Sequence, residues 1–272
     1  MVESIVKYYY IGKVYQMKNI IILLFLLTFI FAKDLVLGVV PQQSPLKLSK
    51  KWIKITKQLS KETGINIIFK TENSIPAFQK KLYKGEYDLA YMNPYHFIIA
   101  NDSQAYEAKI RADKLIRGII VSKEKILDLE KLKDTTFLFP APKAFAATLL
   151  TKYEFKKKFD FDIEKDAKIL YVNSHDSVYK GVARGIGNYG GGIIRTYNNF
   201  KEQKDKENIN IIYTTDGYPS HPIAFHPRVD KKDQEKIVKA LLNMPRELLD
   251  ILSIKKFIQT DTKEYEVIRK FK

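Results

Sequence analysis

Polar side chains that could hold a small oxyanion are concentrated in two short stretches of this sequence. They are Asn93 and Tyr95 in DLAYMNPYHF at 88–97, and Ser174, His175 and Ser177 in VNSHDSVYKGVARGIGNYGGGIIRT at 172–196. Amide, hydroxyl and imidazole groups can all donate hydrogen bonds to an anion. Each stretch follows an apolar run and leads into a helical pattern, so both sets of donors are predicted to lie on turns from a strand into a helix.

Catalytic and metal-binding interpretations of the histidines are weaker. His175, Asp176 and Ser177 have the residue types of a catalytic triad, but adjacent residues cannot easily hydrogen-bond in the relay order that a triad needs. His221 and His226 are five residues apart in an extended segment, which puts them on opposite faces. We therefore predict no catalytic residue, no metal site and no cofactor, and expect a protein that is not an enzyme. A plain helix cap or a surface position for His175 stays open.

Strand and helix patterns alternate along the chain. Predicted strands or extended runs cover 35–40, 65–70, 87–92, 117–121, 135–140, 167–172, 208–215 and 221–227. Predicted helices cover 47–64, 75–85, a segment from Pro94, 143–158, 174–185, 230–244 and 245–254. Such β-α alternation predicts mainly parallel sheets with helices on both faces. The sequence gives little pattern after Ile258.

The alternation is interrupted twice, near 115–121 and near 214–222, and this predicts an α/β protein with two lobes. The expected division is 33–117 and 216–272 in the first lobe and 118–215 in the second. Ligands of open α/β sheets bind at the carboxyl ends of the strands. Helices that begin there offer free N–H groups and a partial positive charge. Helix starts near Pro94, Lys143 and Ser174 are therefore expected to converge on a cleft between the lobes.

Glycine is dense at 185–192. Gly185, Gly187 and Gly190 fit the GxGxxG pattern of dinucleotide-binding loops, but this pattern stands at the end of a predicted helix and not directly after a strand. The GK[ST] ending of a nucleotide P-loop is also missing. The glycines are instead predicted to permit a close approach of the backbone to a ligand or of one lobe to the other. A plain helix–strand turn is the alternative.

An apolar run near the start predicts export. Residues 20–32 read IIILLFLLTFIFA, and Lys18 stands before them. Signal-peptide cores have 7–15 apolar residues, whereas a membrane-spanning helix needs about 20. We predict a signal peptide at 1–32 that is cleaved near Ala32/Lys33, with Met17 as an alternative start; an uncleaved anchor is the other interpretation. The chain has no cysteine, which excludes disulfides and a lipoprotein anchor.

The chain is strongly basic, with a formal net charge of +16. Only seven of its 47 basic residues are arginines, and arginine is the side chain that most often reads bases. The lysines are scattered at solvent-side spacing along the predicted helices. We therefore predict no nucleic-acid partner and a lysine-rich solvated surface. A second interpretation is that the positive potential draws anionic ligands toward the cleft.

In these motifs the chain resembles the phosphate/phosphite/phosphonate-binding proteins of ABC transporters, the PhnD-like group of type II periplasmic binding proteins. The resemblance covers most of 34–255. DLAYMNPYHF resembles the family's Asp-x-Ala-aromatic-x-Gly-Pro element, SHDSVYKGVARG its Ser-x-His-Asp element, and HPIAFHPRV its late crossover. It implies a two-lobed type II periplasmic binding protein with a ligand cleft between the lobes.

The resemblance also implies roles for individual residues. His175 matches the histidine that contacts phosphoryl oxygens in the family. Lys143, Ala144 and Phe145 stand where the family has a Ser-Thr-Ser-Gly loop, so hydroxyl donors are lost there although backbone N–H groups remain. The acidic residue that would hold a phosphonate amine has no clear match; Arg195 or Asn188 falls near it by spacing. This weakens 2-aminoethylphosphonate as the ligand and leaves phosphate, phosphite, another small anion or an uncharged, flatter ligand.

The function that the resemblance implies is capture of a small oxyanion in the periplasm for an inner-membrane ABC permease. We expect a monomer. The alternative is a periplasmic sensor coupled to a membrane kinase or cyclase, which the altered Ser-Thr-Ser loop suggests. A periplasmic hydrolase is a third class, but the sequence supplies no activated nucleophile for one.

Overall fold

The computed structural model describes residues 34–272. The predicted signal peptide at 1–32 and its cleavage site at Ala32/Lys33 lie outside the described residues. Between residues 34 and 272, no helix is both long enough and apolar enough to cross a membrane.

The first of two sheets has six strands. They are β1 (Leu35–Val39), β2 (Ile67–Lys70), β3 (Leu89–Tyr91), β4 (Glu107–Ala112), β10 (Pro222–Phe225) and β11 (Phe257–Gln259). Their order across the sheet is β11-β4-β10-β3-β1-β2. β1 is parallel to β2 and β3, whereas β10 is antiparallel to β3. The N-terminal end of β10 therefore lies at the same edge as the carboxyl ends of β1 and β3.

The second sheet has five strands. They are β5 (Gly118–Ser122), β6 (Thr136–Phe139), β7 (Lys168–Tyr171), β8 (Tyr189–Ile193) and β9 (Asn210–Thr214). Their order is β7-β6-β8-β5-β9. β6 is parallel to β7 and β8, so the carboxyl ends of these three strands share one edge. β5 is antiparallel to both β8 and β9.

Helices connect the strands of both sheets. They are α1 (Pro45–Thr63), α2 (Ile75–Leu82), α3 (Pro94–Gln104), α4 (Thr151–Phe159), α5 (Ile163–Asp166), α6 (His175–Ala183), α7 (Ile194–Asn198), α8 (Gln203–Glu207), α9 (Lys231–Leu242) and α10 (Arg246–Leu252). A π-helical turn at Phe145–Leu150 precedes α4, and a 3₁₀ helix at Lys263–Phe271 ends the chain. Each sheet with its own helices is called a lobe below. The chain passes to the second lobe between β4 and β5 and returns between β9 and β10.

Local signals in the sequence account for several helix ends. Gly64 ends α1 in the left-handed region, with φ of 72°, and its N–H bonds to the Ser60 carbonyl. Ser174 caps α6 by accepting a hydrogen bond from the Ser177 N–H. Pro94 is the first residue of α3, where a missing N–H costs nothing. The predicted caps at Gly64 and Ser174 and the predicted helix start at Pro94 are confirmed.

The glycine-rich stretch differs from its prediction. Residues 189–193 form β8, a buried strand at the centre of the second sheet. A Cβ at Gly191 would overlap the Ala147 carbonyl oxygen and the Phe139 ring, and a Cβ at Gly118 would overlap the Ala146 carbonyl oxygen. Glycine is thus required because the π turn lies directly on the sheet. The interpretation as a helix–strand turn holds for Gly185 and Gly187, which lie between α6 and β8, but not for the three glycines of the strand. The close approach of the backbone is one within the second lobe.

Other differences concern segments with weak patterns. β4 has exposed or partly exposed charged residues alternating with buried ones, and it was not predicted. The segment after Ile258, for which no pattern was found, contains the 3₁₀ helix at 263–271. The helix predicted at 143–158 begins as a π turn. The mixed α/β class with two sheets is confirmed, while the predicted lobe boundaries at 117/118 and 215/216 stay predictions.

The largest apolar cluster belongs to the first lobe but extends into the π turn of the second, through residues 144–147 and Leu150. Phe145 makes edge contacts with Tyr218 and Phe271, with ring centroids 5.6 and 5.2 Å apart. Both lobes are thus packed together around the π turn. This contact sets the position of the residues that line the cavity described next.

Candidate functional site

A small cavity lies where the carboxyl ends of the strands of both lobes meet. Its lining residues are Val40, Gln42, Ile75, Asn93, Ala144, Phe145, Ala146, Ala147, His175, Ile193 and His221. Its volume is about 10 Å³, which is about the room that one water molecule needs. The wall is largely apolar, and its polar groups are two amides and two imidazoles. No carboxylate is among the residues that line it.

His175 is the first residue of α6 and points its ring into this cavity. The side chain is 3% exposed, and its Nδ1 has no hydrogen-bond partner. Burial lowers the pKa of His175 to about 3, and the nearby guanidinium of Arg195 contributes to the shift. The ring is therefore neutral at physiological pH, and it can donate one N–H to an oxyanion. A buried ring nitrogen without a protein partner is a group that a ligand could satisfy.

His221 faces the same cavity from the start of β10, and a chain of hydrogen bonds fixes its tautomer. Arg195, a donor only, gives an N–H to Gln42 Oε1 at 2.5 Å. The Gln42 amide nitrogen therefore points the other way, to His221 Nε2 at 2.7 Å. Since the amide nitrogen donates, His221 Nε2 accepts and the ring proton is on Nδ1. Burial, followed by the positive field of Arg195, holds the pKa of His221 well below its usual range.

Arg195 itself belongs to the second lobe but is held by the first. It follows β8, and besides Gln42 it donates to the hydroxyl of Tyr91 at the end of β3. The Tyr91 ring stacks on His221, with centroids 5.2 Å apart. Arg195 does not line the small cavity directly, but it lies behind Gln42 and His221 and supplies the positive charge nearest to them. Its partners Gln42, Tyr91 and His221 were not predicted as site residues.

Asn93 connects the lobes at the start of α3. Its Oδ1 accepts from the His96 N–H at 2.8 Å, and its Nδ2 donates to the Lys143 carbonyl at 3.3 Å. The first contact is an N-cap, which needs a short polar side chain. The second spans 50 residues and reaches Lys143, two residues before the π turn. Asn93 therefore has a structural role in addition to its place on the cavity wall.

The π turn forms the apolar wall. Ala144 and Phe145 are buried and line the cavity together with Ala146 and Ala147. None of these side chains can donate a hydrogen bond. The first turn of a helix, however, leaves its N–H groups without intrahelical acceptors, so the backbone of this turn is the source of donors on this side.

Four other predicted residues lie beside the cavity and not on its wall. Tyr95 is buried, and the Lys143 ammonium lies 5.4 Å from the centre of its ring. Lys143 itself is exposed. The hydroxyls of Ser174 and Ser177 hydrogen-bond to each other at 2.9 Å, so both are engaged within the cap of α6. Of the predicted site residues, the structure thus brings four together on the cavity wall: Asn93, Ala144, Phe145 and His175. Arg195 is separated from the cavity by Gln42 and His221.

Ion pairs between the lobes lie near His175. The Lys47 ammonium in α1 is 2.9 Å from Asp176 and 3.4 Å from Glu202, both in the second lobe. Lys180 adds a pair with Glu202 at 3.0 Å within that lobe. Asp176 is buried, and its second oxygen has no partner. The acidic side chain that follows His175 in the chain is therefore neutralised by a lysine of the opposite lobe.

A family model for the periplasmic substrate-binding protein of phosphonate ABC transporters matches residues 37–265. The chain belongs to this family. The match includes both lobes and every residue of the small cavity. No sequence among the curated proteins matches the chain. Membership implies a periplasmic location and the role of a substrate-binding protein.

Solved structures of similar fold agree with this assignment. PhnD1 of Prochlorococcus marinus, in complex with methylphosphonate, is 20% identical with a TM-score of 0.81, over 88% of this chain and 97% of that one. A binding-protein component of a phosphonate ABC transporter from Pseudomonas aeruginosa is 16% identical with a TM-score of 0.78, over 88% and 85%. The predicted fold class, a two-lobed type II periplasmic binding protein, is confirmed.

Proposed function

We propose that this phosphonate-family binding protein captures a small phosphorus oxyanion that carries no ammonium group. The observation that carries the proposal is the composition of the small cavity: two neutral imidazoles and two amides on an apolar wall, with Arg195 behind them. Imidazole, amide and backbone N–H groups donate to oxyanions. The nearest fixed charge is positive, which favours an anion and disfavours an ammonium group.

The apolar wall of the small cavity narrows the class of ligand further. Phe145, Ile75 and three alanines can face a hydrogen or a short alkyl group on phosphorus, but they cannot satisfy an additional hydroxyl or amine. Phosphite and short alkylphosphonates fit this wall better than phosphate. The Prochlorococcus relative was solved with methylphosphonate, and this makes methylphosphonate the first compound to try.

Recognition would need no bond to be made or broken. Because the small cavity has room for about one water molecule, the lobes would have to open by a hinge motion to admit the ligand and then close around it. The closed form would dock on an inner-membrane ABC permease. We accordingly propose a binding protein without catalytic activity, exported by the apolar leader at 1–32 as a monomer without a lipid anchor and without a nucleic-acid partner. The proposed lobes are 33–117 with 216–272, and 118–215.

Calorimetric titration tests the ligand class. The panel is methylphosphonate, phosphite, phosphate and 2-aminoethylphosphonate, and the folded state of the protein is checked by circular dichroism. We expect the first two to bind and 2-aminoethylphosphonate to bind at least tenfold more weakly than methylphosphonate. A protein that binds no member of the panel, or prefers the aminophosphonate, would refute the assignment.

A matched pair of variants tests the role of His175. Replacing His175 with alanine removes a hydrogen bond to a charged ligand, which is worth about 1.5–3 kcal/mol, so the affinity should fall about 10- to 100-fold. His226→Ala is the control, because His226 is only partly buried and does not line the cavity. Equal affinities of the two variants would remove His175 from the site.

A further inference from the structure

A second and much larger cavity lies beside the chain crossings. Its volume is about 420 Å³, which falls within the usual range for small-molecule sites. Both lobes and both crossings contribute to it. Its lining residues are Ala112, Lys114, Leu115, Ile116, Arg117, Ile193, Ile194, Arg195, Asn198, Ser220, Ser253 and Ile254. We call it the hinge cavity.

The charged groups of the hinge cavity are all positive. Lys114, Arg117 and Arg195 line it, and no aspartate or glutamate does. Lys114 is exposed and makes no hydrogen bond or ion pair with any residue of 34–272. Arg117 donates one N–H to the Thr215 carbonyl at 3.0 Å, which leaves its remaining N–H groups for another acceptor. Arg195 is hydrogen-bonded to Gln42 and Tyr91, but both partners are uncharged, and so is the partner of Arg117. Three cations without a carboxylate on the same wall favour an anionic occupant.

The remaining surface of the hinge cavity is apolar. Ile116, Ile193 and Ile254 are buried side chains, and Leu115 at the rim is 48% exposed. Branched aliphatic side chains cannot bond to a hydrated inorganic ion, but they can cover a hydrocarbon body and remove it from water. The lining therefore calls for a ligand with two parts, an anionic group near the cations and an apolar body against the isoleucines.

The hinge cavity is separate from the small cavity of the proposed phosphorus site. The two share only Ile193 among their lining residues. Arg195 lies between them, since it lines the hinge cavity while its N–H groups bond to Gln42 and to Tyr91 on the other side. The volumes also differ, at about 420 Å³ against about 10 Å³. An occupant of one cavity is thus not an occupant of the other.

We propose that the hinge cavity is a second binding site, for an organic anion with an apolar body such as an aromatic sulfonate or carboxylate. The site does not depend on the ligand of the small cavity. A suitable probe is 8-anilinonaphthalene-1-sulfonate, which has one anionic group on an aromatic body and fluoresces strongly when removed from water. N-phenyl-1-naphthylamine is its matched partner, because it has the same aromatic body without the charge.

The experiment is a fluorescence titration of the folded protein with both probes. We expect saturable binding of the sulfonate at one site and at least tenfold weaker binding of the uncharged amine. Lys114→Glu should weaken sulfonate binding about tenfold, since it replaces a charge-assisted contact by repulsion. Lys133→Glu makes the same change of charge at an exposed lysine outside the cavity and should leave binding unchanged.

A variant that blocks the mouth of the hinge cavity tests where the sulfonate binds. Asn198 is exposed at the rim of the hinge cavity, and Asn198→Trp should fill its mouth and abolish binding of the sulfonate. The proposal is overturned if the two lysine variants bind alike, if the uncharged amine binds as well as the sulfonate, or if methylphosphonate displaces the sulfonate competitively. Lys114 and Lys133 are exposed, so their variants should fold. The comparison of these two variants therefore tests the proposal even if the Asn198→Trp variant does not fold. A negative result in the fluorescence titrations does not affect the proposed phosphorus site, and a negative result in the calorimetric panel does not affect the hinge cavity.

Discussion

Acidification should destabilise this protein well before its carboxylates begin to titrate. His96 and His175 are buried, and burial lowers the pKa of each to about 3. The pKa of His221 is also held well below its usual range by burial and by Arg195. The charged or titratable groups that act on these rings are Arg195 and the other histidines. The side-chain hydrogen bonds of His221 and His96 are to the amides of Gln42 and Gln79. No carboxylate among the described residues therefore compensates a proton.

The sign follows from proton binding in the two states. A histidine with a normal pKa of about 6.5 when unfolded and a depressed pKa when folded binds its proton more readily in the unfolded state. Its contribution to stability is complete above pH 6.5 and is lost as the pH falls toward the folded pKa. Between pH 7.5 and 5.5 the loss is about 1.4 kcal/mol for each of His96 and His175, and roughly 3 kcal/mol for the two together. His221 adds to the loss in the same direction.

Urea unfolding at a series of pH values measures this loss. The window above pH 5.5 avoids the paired carboxylates, such as Asp102 and Asp162, whose lowered pKa values confine their effect to more acidic solutions. His175→Gln should reduce the change between pH 7.5 and 5.5 by about 1.4 kcal/mol. His226→Gln is the control, because His226 is partly exposed and its pKa is lowered less completely by burial.

Two results would refute this reasoning. One is a free energy of unfolding that stays constant, or rises, as the pH falls from 7.5 to 5.5. The other is an unchanged slope in His175→Gln, since that would mean that the ring is protonated or exposed in the folded protein. Either result would also remove the neutral imidazoles on which the cavity's chemistry depends.

Three further predictions concern the elements around the site. Ser174→Ala removes the cap of α6 and should lower the free energy of unfolding by about 1 kcal/mol in urea titrations. Gly191→Ala should cost about 3 kcal/mol or prevent folding, because its Cβ overlaps the π turn, and a wild-type urea midpoint would contradict this. Lys47→Ala leaves buried Asp176 unpaired and should cost about 1–3 kcal/mol at low salt. Lys54→Ala, at an exposed position of the same helix, is its control and should leave the midpoint unchanged.

Local chemistry explains what could be predicted from the sequence. Caps and prolines act within a few residues, so Gly64, Pro94 and Ser174 mark helix ends without knowledge of the fold. The apolar runs of β1 and β6 likewise identify buried strands. His175 could be proposed because a histidine directly after a cap residue, at the end of a strand, lies at the edge where ligands bind.

The remaining features depend on contacts between distant residues. Gln42 and His221 are 179 residues apart, and nothing near either one indicates that they meet. The strand at 189–193 has three consecutive glycines, which lowers its local preference for β-structure. Its conformation is imposed by the π turn that packs on it, and that turn was itself predicted as an ordinary helix. Such a pair of mutually dependent elements cannot be predicted from either one alone.

The same pair of elements explains how an oxyanion could be recognised without a hydroxyl-rich loop. The glycines at 118 and 191 let the carbonyls of Ala146 and Ala147 come against the sheet, so the turn at 144–147 lies flat and forms one wall of the cavity. The alanines at 144, 146 and 147 have short side chains, so the backbone of this wall can approach a ligand closely. Burial keeps His175 and His221 neutral, so they donate hydrogen bonds without adding a charge. Discrimination between ligands of different charge would then fall to Arg195, which lies behind them.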